Sequence, residues 1–294
     1  MILVTGAAGK TGRAALRALS HRGQAVRALV RRPEQADSAR AAGAADVVVG
    51  DVRDPAAMRR AAEGARAVYH ICPNMHPDEA AIGRAVLAAA RAAGLERIVY
   101  HSVLHPQPEA MPHHWNKLRV EEAVFESGLA FTILQPAPYM QNLLAYWDTI
   151  TTRGVFAVPY PPQTRLSLVD VEDVAEAAAR VLTEPGHAGA TYELCGTGGL
   201  SQTEVAAQLS AALERPVRAE QVGLADWERG ARAAGLSPYA VETLLKMFRY
   251  YAAFGLWGSP RALAALLGRA PASLTDFALR QPPWAGPRSD RPQG

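Results

Sequence analysis

Three glycines, Gly6, Gly9 and Gly12, stand three residues apart in "VTGAAGKTG", directly after the apolar residues Met1, Ile2 and Leu3. That pattern suits a loop that cradles phosphate. Gly6 permits a tight turn, Gly9 lets backbone approach a phosphate with no side chain between, and Gly12 lets a helix pack closely on the preceding strand. Ala8, Lys10 and Thr11 complete the loop, and the free N–H groups of the helix's first turn would face a pyrophosphate. The spacing is G-x-x-G-x-x-G rather than G-x-G-x-x-G, so the glycines alone are a weak signal. The strand before them and the helix after them supply the context in which they imply a dinucleotide. Lys10 either adds charge near the phosphates or points to solvent.

Further along, "LVRRPEQ" places Arg31 and Arg32 where an acidic residue would hold the ribose 2′-hydroxyl of NAD. Two cations there suit a 2′-phosphate, which favours NADPH over NADH; the alternative is a solvated pair opening a helix. In "GDVRD", Asp51 and Val52 are placed to meet the adenine, with Asp51 accepting from its amino group. Asp51 is alternatively a helix cap, although Asp54 suits that role better. Ile71, Cys72 and Pro73 in "HICPN" are expected to line the cofactor ribose, with Cys72 a small wall residue rather than a reactive thiol.

Around these residues, short apolar runs alternate with Ala-rich helical stretches. "MILVT", "AVRALV", "DVVVG", "AVYHI", "RIVYHS" and "AFTILQP" read as strands, and the segments between them as helices. Buried strands separated by helices predict an α/β fold: a doubly wound parallel Rossmann sheet covered on both faces. After Pro136 the rhythm weakens. "RLSLVDVEDVAEAAARVLTE" reads as a strand or turn entering a helix, "ATYELCG" as a strand, and most of the chain beyond 201 as helix. The expected organisation is a dinucleotide-binding domain over 1–150, a smaller, mostly helical substrate lobe over 151–285 sharing its core, and a disordered Pro/Arg/Gly-rich tail over 286–294.

Composition narrows the class. With 294 residues, 49% apolar and 20% charged, the chain can bury a sizeable core. A net charge of +3, with arginines scattered among alanines, is not the basic stripe of a nucleic-acid binder. Two distant cysteines, Cys72 and Cys195, provide neither a disulfide framework nor a zinc pattern. The histidines at 70, 76, 101, 105, 113 and 114 match no standard metal motif, so no metal is expected and polar pocket lining is. No basic leader and no run of about 18 apolar residues is present, which predicts a cytoplasmic protein without a membrane span. A monomer or a homodimer is expected.

The segments "VTGAAGKTG", "LVRRPEQ", "GDVRD", "RIVYHS", "HHWNKLRVEE", "FTILQPAPYMQN" and "LVDVEDVAEAAARVL" resemble, in order, the NmrA-like branch of the atypical short-chain dehydrogenase/reductases. The resemblance implies a Rossmann fold, NADPH or NADH binding and a small C-terminal substrate lobe. Its members include quinone and ketone reductases, and also regulators that bind the dinucleotide without turning it over and act through protein partners. It places Pro136, Tyr139, Met140 and Asn142 near the nicotinamide.

The resemblance also exposes a departure. Short-chain reductases use Tyr-x-x-x-Lys after the fifth strand, the lysine holding the nicotinamide ribose and the tyrosine donating a proton. Lys117 matches the lysine, but His113 stands four residues earlier, on the same helix face. Ser102, or Val103 beside it, falls where the serine would be. Lys117 is expected to contact the cofactor, or else to pair at the surface with Glu121. Three proton sources stay open: His113 as acid, the substrate or water, or none in a silent site. Without the tyrosine, quinones and polycyclic aromatic ketones are favoured, since their reduced forms are less basic than an isolated alkoxide. The expectation is an NADPH-dependent reductase of such compounds; the alternative is a silent NADP-sensing regulator. Five aromatic residues in "MFRYYAAFGLWG" either line a flat substrate pocket or simply pack a helix.

Overall fold

The computed structural model describes residues 1–282; the expected disordered tail lies outside them. The chain opens with β1 (Ile2–Val4), α1 (Lys10–His21), β2 (Val26–Val30), α2 (Ala36–Ala41), β3 (Asp46–Val49) and α3 (Pro55–Ala62). It continues with β4 (Ala67–His70), α4 (Glu79–Ala92), β5 (Arg97–His101), α5 (Pro112–Phe125) and β6 (Ala130–Pro136). These follow the expected alternation, and Asp54 caps α3 by accepting from the Ala56 amide.

A 3-10 segment then leads to α6 (Trp147–Arg153), β7 (Val155–Val158), β8 (Arg165–Leu166), α7 (Val171–Thr183), β9 (Ala190–Leu194) and β10 (Leu200–Ser201). The remainder is α8 (Gln202–Ala212), β11 (Arg218–Gln221), α9 (Leu224–Ala233), α10 (Pro238–Phe254), α11 (Arg261–Leu267) and α12 (Leu274–Leu279).

The main sheet has seven parallel strands in the order β3-β2-β1-β4-β5-β6-β9. It is the doubly wound Rossmann arrangement, and the strand order reverses between β1 and β4, where such sheets bind ligands at the strands' carboxyl ends. Its seventh strand, β9, and the helix α7 that packs beside α1 both come from beyond residue 150. The rest of that half carries two short two-stranded sheets, β10–β8 and β11–β7, among its helices.

Strand alternation divides the interior in two. Ile2, Val4, Tyr69, Val99 and Leu134 share one core with residues of α1 and α7. Leu3, Val68, Ile98, Tyr100 and Ile133 share the other with residues of α3, α4 and α5. Successive side chains of a strand point to opposite faces, so both faces must be apolar when helices cover both. The same alternation sorts the polar residues at the strand ends, and this decides how the site is built. Among the described residues no helix is long and apolar enough to cross a membrane.

Candidate active site

At the first strand's end, Gly6 has φ +61°, and a Cβ there would come within 2.8 Å of the Ile71 carbonyl oxygen. A Cβ on Gly12 would lie 2.3 Å from the Gly6 carbonyl oxygen and 2.6 Å from Ala7 Cα. Both glycines are therefore required by close backbone approach. Gly9 is the N-cap of α1 and offers no side chain, and the first turn holds no acidic residue. The amides of Lys10, Thr11 and Gly12 are left without intrahelical acceptors, a cradle open to an anion.

Around this loop the residues expected to hold a dinucleotide are ranged along the strand ends. Arg31 and Arg32 are exposed, and Gln35 Oε1 accepts from both of their backbone amides at 3.0 Å. Neither guanidinium has an ion-pair partner among the described residues. Asp51 binds Arg53 through Nε at 3.0 Å and NH2 at 2.7 Å. That contact draws its pKa down to about 2. Val52 is half-buried beside it, Ile71 and Cys72 are buried at the end of β4, and Pro73 is exposed. Burial pushes the Cys72 thiol up, as expected of a wall residue. Pro136 is buried, its carbonyl accepting from the Leu104 amide at 2.9 Å. Lys10 donates to Asn142 Oδ1 at 3.4 Å and sits 5.9 Å from the Tyr139 ring centroid, whereas Met140 is fully buried. A cleft of about 260 Å³ runs beside α1, lined by Lys10, Arg13, Arg17 and Arg280 among others. There Arg17 pairs with Glu172 and Arg280 with Asp170.

Two polar networks flank the strand ends, one on each face of the sheet. On the α4/α5 face, Glu79 is the hub, with a fully buried carboxylate. Lys117 Nζ donates to Glu79 Oε1 at 2.7 Å and to the His101 carbonyl at 3.0 Å, and the Tyr100 hydroxyl donates to Oε1 at 3.3 Å. His113 Nδ1 lies 3.6 Å from Oε2. His70 stacks on Tyr100, their centroids 5.8 Å apart, and its Nδ1 meets Thr5 Oγ1 at 2.9 Å.

These contacts correct one expectation. Lys117 is buried and pairs with Glu79, not at the surface with Glu121. Glu121 is itself buried, where it accepts from Ser102 Oγ and, at 2.9 Å, from Gln135 Nε2. Ser102 is thereby tied to α5. His113 shares the Lys117 face as expected, and its ring is neutral. Desolvation, with Lys117 beside it, holds its pKa well below the ordinary histidine value.

On the α1/α7 face, Tyr69 Oη meets His101 Nδ1 at 2.7 Å and His101 Nε2 meets Tyr139 Oη at 2.8 Å. Thr11 Oγ1 of the glycine loop donates to Tyr139 Oη at 3.1 Å. Burial, with Lys117 as the next cause, lowers the pKa of both His70 and His101 to about 3, so both rings are neutral at pH 7. The histidines do not gather at one point: His76 Nδ1 accepts from the Asp78 amide, and His105 faces Glu193 at 3.4 Å.

Glu79 and Tyr69 carried no signal in the sequence. An acid in a helix's first turn reads as a dipole partner, and a tyrosine inside a strand reads as core. The aromatic segment divides. Tyr251 is buried with its hydroxyl 3.5 Å from His114 Nε2, and Phe248 packs against Tyr160 and Trp227. Phe254 and Trp257 remain 71% and 55% exposed.

Comparison with known proteins agrees with this geometry. The NmrA-like family model matches residues 1–274. An NAD(P)H azoreductase of Xenophilus azovorans is 31% identical, the match covering 95% of this chain and 96% of that protein. A (4-alkanoyl-5-oxo-2,5-dihydrofuran-3-yl)methyl phosphate reductase of Streptomyces griseus is 36% identical, with 84% and 85% covered. Among solved structures, an NADPH-dependent quinone oxidoreductase of Escherichia coli complexed with NADPH superposes with a TM-score of 0.83 at 28% identity, covering 95% of this chain and 98% of that one.

Proposed function

The chain belongs to the NmrA-like family, and on that premise we propose that it is an NADPH-dependent reductase of quinone-like or other conjugated aromatic acceptors. The observation that carries this reading is the anion cradle at the α1 N-terminus, with two arginines just after β2 that have no ion-pair partner among the described residues. The relatives named above are azo, quinone and furanone-phosphate reductases, which supports the same reaction class here.

The residues fit the dinucleotide. The Lys10, Thr11 and Gly12 amides would hold its pyrophosphate, Arg31 and Arg32 its 2′-phosphate, and Ile71, Cys72 and Pro73 would wall its ribose. Lys117 uses two of its three N–H donors on Glu79 and His101, leaving one for a ribose hydroxyl. When bound, reduced nicotinamide supplies the hydride. The exposed rings of Phe254 and Trp257 offer a flat acceptor an apolar surface on the smaller lobe.

The test is to mix purified protein with NADPH and a panel of quinones and hydroxylated polycyclic ketones, following the nicotinamide absorbance. Acceptor-dependent oxidation is expected, and it should weaken at limiting NADPH in the Arg31→Ala/Arg32→Ala variant. Tight NADPH binding with no oxidation across the panel would overturn the reductase reading in favour of a dinucleotide sensor.

A further inference from the structure

The tyrosine that short-chain reductases place on the helix after the fifth strand is absent, yet a phenol reaches the cofactor loop from elsewhere. Tyr139 follows β6, is half-buried, and its hydroxyl is bracketed by Thr11 after β1 and His101 at the end of β5. In the sheet, β4 lies between β1 and β5. The hydroxyl therefore spans the point where strand order reverses and a dinucleotide crosses.

Counting protons fixes the direction of each hydrogen bond. Tyr69 is fully buried, and His101 Nδ1 is the partner its hydroxyl has among the described residues. A buried phenol left without an acceptor is costly, so Tyr69 donates to Nδ1. Neutral His101 then carries its proton on Nε2 and donates it to Tyr139 Oη. Thr11 donates to the same oxygen. Both lone pairs of Tyr139 are occupied by donors, and its own O–H has no acceptor among the described residues. A phenol so placed is held as a donor, and two fixed N–H and O–H dipoles await the negative charge it would acquire. The Lys10 ammonium adds positive charge 5.9 Å from the ring.

We propose that Tyr139 is the proton donor to the acceptor oxygen, with His101 as its positioning residue; this rests on the reductase reading above. The acceptor would gain a hydride from a bound dihydronicotinamide, at carbon for a ketone and at one carbonyl oxygen for a quinone, leaving the oxidised nicotinamide. It gains a proton at oxygen from Tyr139, and the phenolate recovers one from water.

The test compares wild type, Tyr139→Phe, His101→Leu and His101→Gln with a polycyclic aromatic ketone and with menadione as acceptors, alongside NADPH affinity by fluorescence. Tyr139→Phe is expected to lower kcat about 100-fold with the ketone, whose reduced oxygen is the more basic, and less with menadione, while NADPH Kd stays within about twofold. His101→Leu should lose most of that, and His101→Gln, which keeps an N–H donor, should recover part. Independently of activity, ¹⁵N NMR of histidine-labelled protein should show His101 protonated on Nε2 and bare on Nδ1. A Tyr139→Phe enzyme with unchanged kcat on the ketone, one in which only NADPH affinity falls, or the opposite His101 tautomer would overturn the assignment and leave the reductase reading standing. A wild type that binds NADPH but does not reduce menadione or the wider panel would overturn both.

Discussion

Replacing Lys117 by methionine should cost the fold more than it reveals about chemistry. The Lys117 ammonium and the Glu79 carboxylate are 7% and 0% exposed and 2.7 Å apart, so solvent screens neither. Without the ammonium, Glu79 keeps the Tyr100 hydroxyl at 3.3 Å and the neutral His113 ring at 3.6 Å. Removing one partner of a buried pair strands the other charge, at a cost of about 3–5 kcal/mol. At roughly 2–4 °C per kcal/mol for a large domain, the melting temperature should fall by roughly 6–20 °C. The assay is urea unfolding of wild type, Lys117→Met, Glu79→Gln and the double variant. The double variant removes both charges and should be more stable than the sum of the single losses predicts, by more than about 1 kcal/mol. A Lys117→Met loss below about 1 kcal/mol, or strict additivity, would refute the view that the two charges stabilise each other. Kinetic losses at Lys117 must accordingly be measured well below the variant's own melting point.

Two further outcomes follow from charge placement. Substituting Arg31 and Arg32 by alanine should weaken NADPH binding about 10-fold or more, the scale of one charge-assisted hydrogen bond, and leave NADH binding unchanged; equal losses for both cofactors in a titration would refute the 2′-phosphate role. Acid should destabilise the protein well above the carboxylate range. The folded-state pKa is about 3 for His70 and His101 and about 4 for His114, against 6.5 when unfolded. Below about pH 6.5 the unfolded chain binds protons that the folded rings refuse, so each can remove up to about 1.4 kcal/mol per pH unit as pH falls. Urea midpoints from about pH 7.5 to about pH 5 should fall, and a flat profile would refute the neutral burial of these rings.

Local patterning determined the sheet layer and the glycine loop. Apolar runs separated by amphipathic helices admit few arrangements, and Gly6 and Gly12 mark places where backbone meets backbone. Those signals lie within a few residues of one another. The alternation in "VYHS" is equally local: Tyr100 and Ser102 must face one way and His101 the other. What each then meets is not local. Glu79 reaches Lys117 across 38 positions and Tyr139 reaches Thr11 across 128, distances over which no periodicity carries information. Only the packing of α4 and α5 over one face decided that Lys117 pairs with Glu79 rather than with Glu121, its neighbour one helical turn away. Only the crossing of the chain after β6 brought a phenol to the glycine loop. Burial supplies the physical reason: once these groups leave water, each must find a hydrogen-bond partner within reach, whatever its distance along the chain.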